Sequence, residues 1–103
     1  MMSKTTLSVA VLVAGLTVAV ANAYAFKGSN LAGEAKVTLS QAKAIALKAR
    51  PGTIADEELE REPGGSGLRY SFDVREGRTT YEVGVDAKTG KVLEVSTDGP
   101  HPD

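Results

Sequence analysis

The residues most able to do chemistry lie in one acidic run. Asp56, Glu57, Glu58, Glu60 and Glu62 place five carboxylates within seven residues, interrupted only by Leu59 and Arg61. Oxygen ligands suit Ca²⁺ or Mg²⁺, and Asp56, Glu58 and Glu60 are the candidates for holding such an ion. The run lacks the Asp-x-Asp-x-Asp-Gly series of an EF-hand loop. A solvated edge strand, kept charged so that it does not pair with neighbours, explains it more simply. The same strip could also dock a basic partner surface. A second candidate, Gly64-Gly65-Ser66-Gly67, has the glycines of a phosphate cradle but not the Lys-Ser/Thr of a nucleotide loop, and it precedes a strand. A flexible connection fits it better. Tyr70, Phe72 and Tyr81 could stack bases, but they share their side with Leu68, Val74, Val83 and Val85, the mark of a core.

Composition closes off most other chemistry. The chain has 103 residues, no Cys and one His, and its 12 Lys and Arg nearly balance 13 Asp and Glu for a net charge of −1. Disulfides, thiolate zinc sites and redox dithiols are excluded, and His101, two residues from the end, is badly placed for a nucleophilic triad. The near-neutral balance lacks the basic footprint of a nucleic-acid binder. Neither a catalytic set nor a cofactor or metal site is expected.

The elements that position these residues begin after a targeting segment. Lys4 precedes Leu7 to Ala21, fifteen residues without a charge, and two A-x-A patterns follow, at Ala21-Asn22-Ala23 and Ala23-Tyr24-Ala25. As a helix that run rises ~22 Å, short of the ~30 Å hydrocarbon core, so residues 1–25 read as a signal peptide and not as a stable membrane anchor. Cleavage is expected after Ala25, with Ala23 the alternative, and the product is periplasmic or secreted. A mature chain of 78 residues (103 less 25) has room for one thin core.

Residues 26–36, with Gly28, Ser29, Asn30 and Gly33, read as a flexible lead-in. Thr38-Leu39-Ser40-Gln41 is a capping box, and Leu39, Ala42, Ile45, Ala46 and Ala49 follow at helical spacing, flanked by Leu47. Pro51-Gly52 stops the helix. Lys36, Lys43, Lys48 and Arg50 give it a basic outer side.

Leu68, Tyr70, Phe72 and Val74 then alternate with polar residues, as do Thr79, Tyr81, Val83 and Val85. Glu76-Gly77 turns the chain between them, and Asp86 to Gly90 forms a hairpin with Gly90 left-handed. Leu93 and Val95 continue the apolar face in a last strand, with Val92 a weaker candidate for it. In the stretch from Thr53 to Arg61, Ile54 and Leu59 have opposite parity, which fits a strand only if it carries a bulge. The expected fold is α+β: one N-terminal amphipathic helix on a three- to four-stranded antiparallel sheet. The domain occupies residues 37–97, and a disordered tail occupies 98–103.

This order of elements resembles the PepSY family. The residues that carry the resemblance are the Thr-x-x-Gln-Ala helix ending in Pro-Gly, then Tyr70-x-Phe72-x-Val74. The most specific part is Tyr81-Glu82-Val83-Gly84-Val85-Asp86-Ala87-Lys88-Thr89-Gly90-Lys91-Val92. The resemblance covers Val37 to Thr97 and departs at Gly84, where a side chain is usual. It implies a non-enzymatic module of a kind found in propeptides of secreted metalloproteases, in membrane-bound regulators and as stand-alone exported proteins. The implied partner is a protein, either a secreted or envelope protease that it inhibits or modulates, or a signalling protein. An envelope sensor accessory that binds a ligand or cation is the alternative. On this reading Leu39, Ile45, Tyr70, Phe72, Tyr81, Val83, Val85, Asp86 and Gly90 determine the fold, and oligomeric state is open.

Truncating a buried aromatic costs ~3–5 kcal/mol, and a domain of this size holds only ~4–12 kcal/mol. Phe72→Ala should therefore leave the protein largely unfolded in a urea titration. The alternation predicts that Arg69→Ala and Asp73→Ala, on the opposite side of the strand, are nearly silent.

Overall fold

The computed structural model of the chain describes residues 26–100, and of residues 98–100 the backbone alone. The expected signal segment and His101 lie outside the described residues. In chain order there is a 3-10 segment (Ser29–Glu34), helix α1 (Leu39–Ala49), and strands β1 (Thr53–Arg61), β2 (Leu68–Glu76), β3 (Thr79–Asp86) and β4 (Val92–Pro100). The strands form one antiparallel sheet in the order β1-β2-β3-β4. The helix crosses one side of it, over β2, β3 and β4. No described helix is long and apolar enough to cross a membrane.

α1 starts where its capping box is. The Thr38 hydroxyl accepts from the Gln41 amide at 3.0 Å while the Gln41 side chain accepts from the Thr38 amide at 2.9 Å. Ala42 and Ala46 are fully buried, so the helix backbone lies close to the sheet, with Leu39, Ile45 and Leu47 packed at the flanks. Ala49, expected in the stripe, is exposed. It falls in the last turn, where Arg50 rather than a methyl covers the sheet: its guanidinium lies 3.7 Å from the centre of the Tyr81 ring and 3.2 Å from Glu76.

Residues opposite one another on adjacent antiparallel strands point to the same face. The pairs Tyr70–Val85, Phe72–Val83 and Val74–Tyr81 put the two alternating sets on the helix side together. Phe72, Val74, Val83 and Val85 are fully buried, and Tyr70 lies beside Phe72 with ring centroids 6.3 Å apart. Tyr70 and Phe72 are core, as their apolar neighbours required, while Tyr81 is half-buried beneath Arg50.

Both outer strands are irregular where their parity fails. The register of β1 on β2 shifts between Ile54 and Asp56, and the extra residue, Ala55, lets Ile54 and Leu59 share the helix side. β4 shifts between its Glu94 and Val92 pairings, so Val92 and Val95 lie opposite Val85 and Val83, and Leu93 is the added residue. The apolar side of β4 is therefore Val92 and Val95, not Leu93 and Val95.

Two segments read as irregular are built into the sheet. The lead-in is docked: Leu59 donates its amide to the Lys27 carbonyl at 2.9 Å, and Phe26 and Leu31 pack on the core. Its stabilisation is main-chain pairing plus two apolar anchors, which leaves no periodic trace in sequence. At the other end, β4 runs three residues into the expected tail, pairing Pro100 with Thr79. Proline is tolerated there because the strand is an edge.

One carboxylate holds the loops around this sheet. Asp86, 1% exposed, accepts at Oδ1 from the Ser66 hydroxyl (2.8 Å) and the amides of Lys88 (2.8 Å) and Thr89 (3.1 Å), and at Oδ2 from the Ser66 amide (2.7 Å). Gly65 makes this possible. It is left-handed (φ +56°), and a Cβ there would collide with Asp86 Oδ2 and lie 2.9 Å from Leu93 Cδ1. Gly90 closes the hairpin at φ +79°, as the turn sequence predicted.

Burial by itself would raise the Asp86 carboxyl, but the donors of Ser66, Lys88 and Thr89 outweigh it and hold the pKa at about 2, below the ordinary 3.8. A lowered folded pKa stabilises the protein above the unfolded value, and that stability is lost as pH falls from near 3.8 through about 2. The difference corresponds to about 2 kcal/mol. In urea titrations the stability gap between wild type and Asp86→Ala should be widest near neutral pH and shrink by about that amount toward pH 2. A gap independent of pH would mean that the carboxylate charge is not what holds the loops.

Candidate functional site

With α1 on one side of the sheet, the other side is open and polar. Its residues form rows across the strands: Glu58, Ser71, Gly84 and Glu94 in one, and Asp56, Asp73, Glu82 and Ser96 in the next. Asp56, Glu58 and Glu60, the ion candidates of the sequence, do lie on one face. Alternate residues of a strand are ~7 Å apart, however, and their carboxylates are drawn to separate partners. Glu58 pairs with Lys27 at 3.5 Å and Glu60 accepts from the Ser71 hydroxyl at 2.8 Å. Among the described residues no three acidic or imidazole side chains converge to hold a metal.

The rest of the acidic run is divided between the faces. Glu57 points to the helix side and meets Lys43 at 3.1 Å, beside a shallow depression lined by Lys43, Ile54, Ala55, Asp56 and Glu57. Lys43 and Arg50 thus bridge α1 to the sheet, which breaks up the basic outer side expected for the helix.

Arg69 was expected to be a silent outer position, and it is buried. Its guanidinium lies 3.1 Å from Glu94 and 3.5 Å from Glu62, and it donates to the Pro63 carbonyl at 3.4 Å. The side chain reaches from β2 across β3 to β4, and Gly84 gives it room. A Cβ at Gly84 would stand 3.1 Å from Arg69 Cδ and 3.4 Å from its guanidinium. The glycine that departs from the usual pattern is thus the floor on which the arginine lies. Alternation could not reveal this, because it depends on which residue the neighbouring strand places beside Arg69.

The two edges differ. On β1 the lead-in occupies the Leu59 amide, the Ala55 bulge breaks the register, and Arg61 bonds to Glu34 of the 3-10 segment. That carboxylate is drawn down by the arginine's hydrogen bond. Among the described residues, β4 has a strand neighbour only in β3. Val92 and Val95, exposed by 38% and 48%, are the exposed large hydrophobic residues described, and both sit along this edge on the helix side.

A sequence model described as "Peptidase propeptide and YPEB domain" (PepSY) matches residues 36–96, more than half of the chain. The chain belongs to the PepSY family. The match agrees within a residue at each end with the span over which the sequence resembles the family. No curated protein and no solved structure matches the chain. Among PepSY-matched positions, Asp86 and Gly90 form the hairpin corner, and Tyr70, Phe72, Val83 and Val85 form the core.

Arg69→Ala should cost about 1–3 kcal/mol in a urea titration, through lost packing over Gly84 and the acids left facing each other. Arg69→Met should recover part of it by restoring the packed stem. Arg61→Ala, at a solvent-exposed ion pair, should unfold like wild type. If Arg69→Ala also matched wild type, the guanidinium would be one more surface charge.

Proposed function

We propose that this PepSY domain is an exported, non-enzymatic regulatory module that binds a protein, namely a protease of the cell envelope or medium whose activity it restrains. The observation that carries the reading is the family match over residues 36–96, whose description joins the domain to peptidase propeptides. The signal-like segment before Phe26 supports export. Support also comes from what the folded residues are used for. Of the buried polar residues described, Asp86, Ser71 and Arg69 are taken up in cross-strand and loop contacts that hold the domain together. The chemistry left to the surface is recognition. The alternative, an ion-sensing accessory, draws no support from Asp56, Glu58 and Glu60, which do not converge.

The test uses the protein exported by the cells that make it. Its N-terminus should be Phe26. Added at micromolar concentration to the secreted and envelope proteases of those cells, it should co-purify with at least one and lower its rate of peptide hydrolysis. Neither complex nor inhibition at high micromolar protein would overturn the protease reading. A rise in melting temperature with Ca²⁺, abolished in Asp56→Ala/Glu58→Ala, would replace it with the ion-sensing one.

A further inference from the structure

Resting on the binding-module reading above, we propose that β4 is the docking strand, and that it accepts by strand addition an extended segment of a partner protein in which apolar residues alternate with Lys or Arg. Three observations converge on this strand. The first is that its outer edge, unlike the opposite one, has no described segment of chain laid along it and no dense run of carboxylates. β1 carries a bulge, a dense run of carboxylates and a strap of chain that takes up the Leu59 amide. These are the means by which proteins keep an edge from pairing. β4 has irregularities of its own, the bulge at Leu93 and a second register shift between Thr97 and Pro100, but from Glu94 to Thr97 it runs in regular register on β3 and no described strand pairs with its outer edge. Among the described residues this is the edge left able to pair.

The second observation is apolar and lies on the helix side. Val92 and Val95 project there beside the buried Val85 and Val83, yet 38% and 48% of their surfaces remain in water. An added strand would place its inward side chains against these two valines and continue the core by one strand. Because side chains alternate, every second residue of that strand must be apolar.

The third fixes the residues between. The outer face next to β4 carries acids: Glu94 on β4 itself, and Glu82 on β3 opposite Ser96. Opposite charges on neighbouring strands are favourable and like charges unfavourable. Arg69, also on this face, is shared between Glu62 and Glu94, and Arg75 lies farther along the same face of β2. A strand laid beside β4 therefore gains by carrying Lys or Arg on its outward positions, next to Glu94 and Ser96. The same charge argument disfavours a second copy of this chain: two β4 edges pairing would bring the Glu94 side of one against the Glu94 side of the other, with no cation from either strand. Main-chain bonds supply affinity in such a mode, and the alternating pattern supplies specificity.

The experiment is a titration of the ¹⁵N-labelled protein with three synthetic octapeptides. One alternates Val and Lys, one alternates Val and Glu, and the third is the Val–Lys peptide with N-methylated amides on one edge. The Val–Lys peptide should move the amide resonances of Val92 to Thr97 and leave those of β1 in place. The Val–Glu and N-methylated peptides should each bind at least tenfold more weakly. Val95→Lys should weaken the Val–Lys peptide at least tenfold, while Ala55→Lys on the other edge should not change it. Should Val95→Lys fail to fold, the N-methylated peptide on the wild-type protein still decides the question.

Shifts confined to α1 or β1 would overturn the assignment, as would equal binding of the Val–Glu or the N-methylated peptide. A concentration-dependent dimer in light scattering that is lost in Val95→Lys would overturn it in favour of a second copy. The outcome separates from that of the protease reading. Protease capture unaffected by Val95→Lys would keep the regulatory module and remove β4 as its docking strand. Peptide docking on β4 without any envelope protease bound would keep the strand and remove the protease.

Discussion

The fold depends on a corner at the end of β3, where the buried Asp86 carboxylate and the next peptide unit hold together parts of the chain that are distant in sequence. Asp86 takes four donors, two from Ser66 in the loop before β2 and two from its own hairpin. The Ala87 amide bonds to the Leu68 carbonyl, and the Ala87 carbonyl accepts from both Lys36 and Val37 at 2.9 Å. The Val37 carbonyl in turn accepts from the Tyr70 hydroxyl at 2.7 Å. Val37 is the residue before the helix cap. The approach to α1 is thus fixed to the sheet by bonds on both sides of one peptide unit before the capping box begins. A thin core of alanines and valines has little surplus to orient its helix, so polar bonds at one end do it. Desolvating a carboxylate is costly, and here four donors offset the cost.

How much of this was legible follows from where each stabilising interaction sits. Local signals were readable: the Thr38 to Gln41 box, the alternation of β2 and β3, and the Asp86 to Gly90 turn all depend on residues within a few positions of one another. The parity conflict between Ile54 and Leu59 pointed to the bulge that the register contains. Asp86 could be placed in a turn, but not at a corner, because its partner Ser66 lies in a loop twenty residues earlier. Arg69 illustrates the general limit. A charged residue in an alternating strand reads as solvated, and only the absence of a side chain at Gly84 on the next strand lets it be covered. The lead-in was opaque for a different reason. Main-chain bonds such as Leu59 to Lys27 are independent of side-chain identity, so they leave no pattern.

Candidate recognition residues were legible to the extent that they were chemical. The acidic run stands out in the sequence, yet folding divides it: Glu57 goes to the helix side, Glu58 and Glu60 to the outer face, and Glu62 to Arg69. A cluster in sequence became a charged edge with separate partners. On β4 alternation pairs Val95 with Leu93, since Val92 and Val95 have opposite parity until the Leu93 bulge brings them to one side. What singles them out is exposure, a property of the folded sheet and its narrow helix.

That narrowness is where structure and function meet. One helix of eleven residues cannot cover four twisted strands. The uncovered flank on the β1 side is filled by the chain's own lead-in through Phe26 and Leu31, while the flank on the β4 side is left with valines in water. A sheet that closes one edge with its own chain and charges has already met the hazard of uncontrolled pairing there, and it retains the other edge at a cost in exposed apolar surface. In a domain without a deep cavity among its described residues, that asymmetry is the feature folding does not require. On the proposed reading, a module that holds a partner needs one adhesive edge and one inert edge, because two adhesive edges on the same sheet would propagate into open-ended assemblies.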